Sequence, residues 1–286
     1  MSRVQFWVTL FSLLAYINLS WAQTEERFRF EHITVDEGLA HSDAMAVIQD
    51  KNSFVWVGTN NGINRYDGYE LKEYFLEDLD GLPSNRIRAM HAGPTGMVWA
   101  GTERAGLYFY DAYADAFKNI EALSSDHVFK EDLKLINKSS VSTIVSDPWG
   151  RLWIGTRSNG VFALSWSENN KLTRIDRIRL SGRAEIMSLA VDANGKVWIG
   201  TLDQGLWHFS IKKIAGKSRG HQAVHFNAIE ESDVRALYRD RNEGLWIGTG
   251  SRVYYISKNG LREENPVPLP LDNPVQGLQC FYMDTL

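Results

Sequence analysis

A short pattern built on tryptophan recurs five times along this chain and limits the folds open to it more than any other feature. The copies are Val55-Trp56-Val57-Gly58-Thr59, Val98-Trp99-Ala100-Gly101-Thr102, Leu152-Trp153-Ile154-Gly155-Thr156, Val197-Trp198-Ile199-Gly200-Thr201 and Leu245-Trp246-Ile247-Gly248-Thr249. Successive tryptophans lie 43, 54, 45 and 48 residues apart. That period falls among propeller blades rather than the shorter helical solenoids.

Each repeat follows one grammar. An apolar segment ends at an Asp, a polar turn follows, and the Trp comes six residues after the Asp, as in Asp50 to Trp56, Asp147 to Trp153, Asp192 to Trp198 and Asp240 to Trp246. Turns such as Asp147-Pro148-Trp149-Gly150 and Asp192-Ala193-Asn194-Gly195 supply an Asp to bond the turn backbone and a Gly to take a positive φ, so each reads as a hairpin. The second copy has Gly93 in place of the Asp, which reads as tolerated variation.

Side chains alternate along a strand, so in the third copy Trp153 and Gly155 face one way and Leu152, Ile154 and Thr156 the other. Both faces are apolar, which requires cover on each side, and radially stacked blades supply it. The glycines Gly58, Gly101, Gly155, Gly200 and Gly248 are expected to let the next blade approach, and Trp56, Trp99, Trp153, Trp198 and Trp246 to fill the seam between blades. After the Thr, a turn such as Arg157-Ser158-Asn159-Gly160 leads to a third strand, and a more variable fourth follows. The expectation is an all-β chain, a β-propeller of four-stranded blades with five complete repeats and a partial sixth. The segment Val275 to Asp284 aligns with a sixth inner strand whose Trp would fall beyond Leu286, so the ring reads as truncated.

The ends carry separate signals. Arg3, the apolar run from Val4 to Ile17 and the small-residue site Ser20-Trp21-Ala22 read as a signal peptide over residues 1–22, with the propeller occupying 23–286. Arg27 to Ile33 alternates charged and apolar residues and reads as a strand that completes the last blade. Cys280 is the one cysteine, so no intramolecular disulfide forms and packing alone must hold the fold. A net charge of −4 and a pI near 6.0 argue against nucleic acid as a partner.

Little in the sequence nominates catalysis. There is no Gly-x-Ser-x-Gly elbow, P-loop, His-Glu-x-x-His or cysteine pair. Two long connections, Ala112 to Lys138 and Ile211 to His225, contain acids and histidines without a metal-ligand spacing and read as solvated loops. No cofactor and no metal are expected.

The full pattern, seen at Trp56-Val57-Gly58-Thr59-Asn60-Asn61-Gly62-Ile63-Asn64-Arg65-Tyr66-Asp67-Gly68, closely resembles the two-component regulator propeller repeats of bacterial periplasmic sensors. The lead-in Phe30 to Leu39 looks like the entry to the first blade of such sensors. That resemblance implies seven-bladed rings outside the cytoplasm, followed by a β-sandwich, a membrane helix and a histidine kinase or diguanylate cyclase output. Those later parts are missing here, so membrane attachment is expected only through a downstream segment.

The turn after each Thr and the connection into each inner strand should emerge on one face. There the chain presents Asn60, Arg86, Arg104, Arg157, Asp203 and Arg252, different polar residues from blade to blade, as a candidate ligand funnel. The resemblance implies a periplasmic sensor that binds a small-molecule or carbohydrate-like ligand, or a periplasmic protein, and relays the event to an output. A secreted lyase or hydrolase would need acids, His or metal ligands to meet at that funnel, and a structural interaction module would need neither.

Overall fold

The tryptophan of each repeat sits in the second strand of a separate antiparallel sheet, as the period requires. The structure, a computed structural model, describes residues 32–76, 85–124, 127–167, 169–192, 195–211, 220–260 and 266–269. The expected signal peptide, most of the Arg27 to Ile33 strand and the Val275 to Asp284 segment lie outside the described residues.

Blade 1 comprises Ala44–Gln49 (β1), Val55–Thr59 (β2), Gly62–Tyr66 (β3) and Leu71–Tyr74 (β4). Blade 2 comprises Ile87–Ala92 (β5), Val98–Thr102 (β6), Leu107–Asp111 (β7) and Ala116–Asn119 (β8). Blade 3 comprises Val141–Ser146 (β9), Leu152–Thr156 (β10), Gly160–Trp166 (β11) and Leu172–Arg179 (β12). Blade 4 begins with Ile186–Val191 (β13), Lys196–Thr201 (β14) and Leu206–Ser210 (β15). The chain then forms Gly220–Gln222 (β16) before Val224–His225 (β17). Blade 5 comprises Val234–Arg239 (β18), Leu245–Thr249 (β19), Val253–Ile256 (β20) and Val267–Pro268 (β21).

Within each blade successive strands pair in order, while the first strands β1, β5, β9, β13 and β18 lie against one another from blade to blade. That combination is radial stacking around the inner strands, the arrangement of a propeller. Blade 3 departs from four strands. β16 adds to its outer edge, parallel to β12 with Ile178 opposite His221, although it belongs in sequence to blade 4. The chain returns at once to pair β17 with β15, so blade 4 is completed only after the chain has visited blade 3.

The seams follow the alternation. Trp153 packs with Val161 and Ile178 of its own blade and with Ile186 and Leu189 of the next. Trp56 packs against Ile87 and Phe117, Trp99 against Val141 and Ile144, and Trp198 against Val234 and Ile247. Trp56, Trp153 and Trp198 are completely buried. The glycine two residues on from each of these tryptophans receives the first residue of the next inner strand. A Cβ at Gly58 would stand 2.5 Å from Ile87 Cγ2, at Gly101 2.6 Å from Val141 Cγ1, and at Gly155 2.6 Å from Ile186 Cγ2. At Gly200 a Cβ would stand 2.5 Å from Ser188 Oγ of its own blade and 2.7 Å from the Val234 carbonyl of the next. Gly is therefore required there by close approach, not by its backbone freedom.

The Asp of each hairpin does more than hold its turn. Asp147 accepts from the backbone N–H of Trp149 and Arg151, and Gly150 takes φ 81. Its second oxygen also accepts the indole N–H of Trp153 at 2.9 Å, and Asp50, Asp192 and Asp240 do the same for Trp56, Trp198 and Trp246 at 2.8 to 2.9 Å. The six-residue spacing is thus the reach of a hydrogen bond across the hairpin. Gly93 supplies no carboxylate, and Trp99 Nε1 has no partner among the described residues.

The Ala112 to Lys138 connection is not a plain solvated loop. It contains β8 and the helix Lys130–Asn137 (α1), whose Leu133 and Ile136 are buried. Apolar residues three apart on a helix share a face, and with Phe129 they cap the blade 2 to blade 3 core. All five sheets lie in the unit Thr34–Leu286; of Met1–Ile33 only His32 and Ile33 are described, and both are exposed.

Candidate functional site

The face to examine is built by the turn after each repeated Thr. Thr156 is fully buried, its hydroxyl donating to the Gly160 carbonyl at 2.8 Å and accepting from Asn159 N–H at 2.9 Å. Thr59, Thr102, Thr201 and Thr249 close their turns in the same way. The residue after the Thr then donates its backbone N–H to the residue preceding an inner strand, as Asn60 to Asp43, Glu103 to Arg86, Arg157 to Ser140, Leu202 to Glu185 and Gly250 to Asp233. These bonds put the turn and the strand entry side by side in every blade, which is the face expected from the sequence.

All six candidate residues lie on these turns and entries, but not at one repeated position. Asn60 and Arg157 come first after the Thr, Arg104 and Asp203 second, Arg252 third, and Arg86 stands before β5. Their direct partners are other residues of the face. Asn60 Nδ2 donates to Asp43 Oδ2 at 2.9 Å. Arg86 and Arg88 both pair with Glu103 at 3.2 Å, Arg157 pairs with Glu185 across the blade 3 to blade 4 seam at 3.1 Å, and Arg252 lies 3.6 Å from Glu231. Arg104 and Asp203 make no hydrogen bond or ion pair among the described residues and point to solvent. Burial works against the ionised form of Glu103, but the guanidiniums of Arg88 and Arg86 outweigh it and hold its carboxyl below the usual range.

Sequence reasoning missed Arg88, Glu103, Glu185, Glu231, Asp233 and Arg235. A bulge explains part of this. Each inner strand slips register at its second residue, between Ile87 and Ala89 in β5 and between Val234 and Ala236 in β18, and the skipped residues include Arg88 and Arg235. A bulge re-aims the skipped side chain. Arg88 reaches Glu103 and Arg235 reaches Asp233 at 2.9 Å. The skipped position holds Met45, Arg88, Ser142, Met187 and Arg235, so no repeated residue type marks it.

One hollow opens on this face between blades 4 and 5. It encloses about 570 Å³ and is lined by Gln204, Trp207, His225, Glu230, Glu231 and Ser232, among others. None of the six candidates lines it directly, but Gln204 follows Asp203 in sequence and Glu231 is the partner of Arg252. The Trp207 indole donates to the Gln204 carbonyl at 2.9 Å, and His225 packs edge-on against Trp207 with centroids 5.0 Å apart. Among the described residues, no three His, Cys, Asp or Glu side chains converge as a metal site.

Radially stacked four-stranded sheets, a tryptophan seam and a Thr-held turn define a β-propeller. Three of its repeats match the family model described as two component regulator propeller, at residues 134–158, 180–203 and 229–251, in blades 3, 4 and 5. A stretch of 69 residues is 39% identical to Histidine kinase P4 of Formosa agariphila, covering 24% of this chain and 5% of that protein. The fold is that of an extracellular domain assigned to a hybrid two-component system, BT3049, of B. thetaiotaomicron, with TM-score 0.64, 24% identity and coverage of 83% of this chain and 31% of the other. It also resembles virginiamycin B lyase from Staphylococcus aureus, with TM-score 0.59, 12% identity and coverage of 81% and 71%. The chain thus spans about a third of the length of the two-component domain and a small part of the kinase.

Proposed function

We propose that this chain is a sensory propeller acting outside the cytoplasm, which binds a small-molecule or carbohydrate-like ligand, or a periplasmic protein, on its Thr-turn face and relays the event to a membrane-linked output. The observation that carries this reading is the hollow between blades 4 and 5, lined by Glu231, Gln204 and His225, with Arg252 paired to Glu231 and Asp203 next to Gln204 in sequence. Its polar groups belong to two blades, so a ligand seated there would alter the fit of one blade against the next. Binding fits better than catalysis, because Glu103, Glu185, Glu231 and Asp233 of this face are each paired with an arginine. The likeness in fold to extracellular domains of two-component systems supports an extracytoplasmic location.

The binding reading is tested by a thermal-shift screen of the exported chain against neutral, acidic and amino sugars, amino acids and dipeptides, repeated with Arg104→Ala, Asp203→Ala and Arg252→Ala. A ligand that raises the melting temperature is expected to lose most of its effect with Asp203→Ala or Arg252→Ala. Stabilisation that survives all three substitutions would remove this site. For location, residues 1–40 are fused to a leaderless alkaline phosphatase, and activity confined to the cytoplasmic fraction would overturn the export reading.

A further inference from the structure

The exception among the repeated tryptophans opens onto a cleft. Trp99 lacks the carboxylate that each of the other four tryptophans bonds, and the space that carboxylate would occupy adjoins a cavity of about 320 Å³ between blades 2 and 3. That volume is at the small end of ligand sites. It lies among the hairpin turns that hold Gly93 to Met97, Trp149 to Arg151, and Ser165 to Ser167 with Asn170, at the opposite end of the strands from the Thr turns.

Three tryptophans line it, together with Thr95, Ser146, Ser165, Ser167 and Asn170. Trp166 stacks on Trp99 with centroids 5.4 Å apart and planes at 30°, Met97 lies beside them, and Trp149 is 64% exposed. A turn tryptophan left so open, beside the buried seam tryptophan Trp99, is an available surface. Among the described residues Arg151 is the one charged side chain lining the cleft, and it is paired: its Nε donates to Asp147 Oδ2 at 2.7 Å and its guanidinium lies 5.6 Å over the Trp149 ring. His91, beside it, bonds Ser146 Oγ at 2.7 Å and occupies that hydroxyl.

We propose that this cleft binds a neutral aromatic ligand carrying an acceptor oxygen, with its ring against Trp149 and Trp166 and the oxygen receiving the Trp99 indole N–H. Aromatic rings favour offset or edge-on partners at centroid distances of roughly 4.5–7 Å, and three indoles around one small space provide them. The indole N–H without a protein acceptor gains a hydrogen bond when such an oxygen arrives. A charged ligand would lose its hydration with no unpaired counter-ion among the described residues to meet it. A sugar offers no aromatic ring for the offset or edge-on contacts of the three indoles.

The decisive variant is Gly93→Asp. Gly93 has no positive φ, and a Cβ there would meet the Met97 carbonyl at 3.4 Å and Trp99 Nε1 at 3.5 Å, so the carboxylate can restore the bond made in the other four blades. Benzamide is titrated into the ¹⁵N-labelled full chain and followed through the indole N–H resonances, that of Trp99 being assigned from Trp99→Phe. Benzamide should shift the Trp99 resonance. Gly93→Asp should abolish that shift while leaving the fold intact, and Trp149→Ala should weaken binding about three- to tenfold, the worth of one ring contact. Benzoate, cyclohexanecarboxamide and methyl β-glucoside isolate charge, flatness and sugar chemistry, and each should bind more weakly than benzamide. No shift with benzamide at 10 mM, an undiminished shift in folded Gly93→Asp, or equal binding of the glucoside would overturn the proposal.

Discussion

Asp147 Oδ2 accepts the indole N–H of Trp153 at 2.9 Å and the guanidinium of Arg151 at 2.7 Å, with the carboxylate fully buried. One side chain thereby ties a hairpin turn, a seam tryptophan and a cation. Removing it strands a buried indole donor and a half-buried guanidinium. Asp147→Ala should therefore cost about 3 kcal/mol, in the range for breaking a buried charged network. Asp50→Ala should cost less, because Asp50 is only half-buried and bonds Trp56 and its turn without an arginine. Urea unfolding of both variants measures the difference, and equal losses would contradict it.

The glycines of the seam differ in what they face. A Cβ at Gly58 meets the Ile87 side chain and Met90 Sδ, whereas one at Gly101 meets Val141 Cγ1 and also its Cβ at 2.9 Å and carbonyl at 3.0 Å. Each Gly→Ala change should destabilise by roughly 1–3 kcal/mol through overpacking. Trimming the neighbour should then separate them. Gly58→Ala with Ile87→Ala should be less destabilised than the sum of the singles, while Gly101→Ala with Val141→Ala should be rescued less, because a Cβ remains at both seams but only at Gly101 does a backbone carbonyl also stand at 3.0 Å. Double-mutant cycles at the two seams decide it.

His91 is held neutral in the fold, its pKa lowered from 6.5 to about 4 by burial. Above about pH 6.5 neither state binds the proton. As pH falls from there to about 4 the unfolded chain is protonated and the folded one is not, so stability declines across that window by at most about 3 kcal/mol. His91→Asn, which can still bond Ser146, should flatten this part of the profile. Denaturation midpoints at pH 7.5, 5.5 and 4.5 check the sign.

The Thr of each repeat predicts a further cost. Thr156→Val keeps the volume but leaves the Asn159 N–H without its acceptor and the turn unlatched, and should lose about 1–3 kcal/mol. Arg104→Ala, at an exposed position with no partner among the described residues, should change stability by less than about 0.5 kcal/mol. A Thr156→Val protein as stable as the parent would show that the turn is held by other contacts.

How far these relations could be read in advance depends on whether they repeat. The Trp-x-Gly spacing exposed the seam, because alternation along a strand forces Trp153 and Gly155 onto one face. The Asp-to-Trp interval was equally plain, yet its meaning as a side-chain bond across a hairpin needed the register, and the Asp alone suggests only a turn. Thr was visible in every copy, and its alternation places it away from Trp without revealing the latch. The charged pairs were illegible for the opposite reason. Arg157 to Glu185 and Arg88 to Glu103 join positions that differ from blade to blade, and the bulges that aim Arg88 and Arg235 leave no residue signature. The helix Lys130–Asn137 was hidden by its shortness, since eight residues hold only two turns of pattern.

Repeat proteins are commonly treated as rows of units whose stabilities add, each coupled to its neighbour by a single interface. The route of β16 breaks that description for blades 3 and 4. The chain that finishes blade 4 is first held as the outermost strand of blade 3, so fraying of Arg177 to Arg179 would release β16 and with it the tether on β17. The amides of these two blades should therefore exchange with solvent in one concerted opening, while blades 1 and 2 open on their own terms. Strain entering at the edge of one blade is carried to the next through the backbone itself, a covalent coupling that side-chain seams alone do not provide.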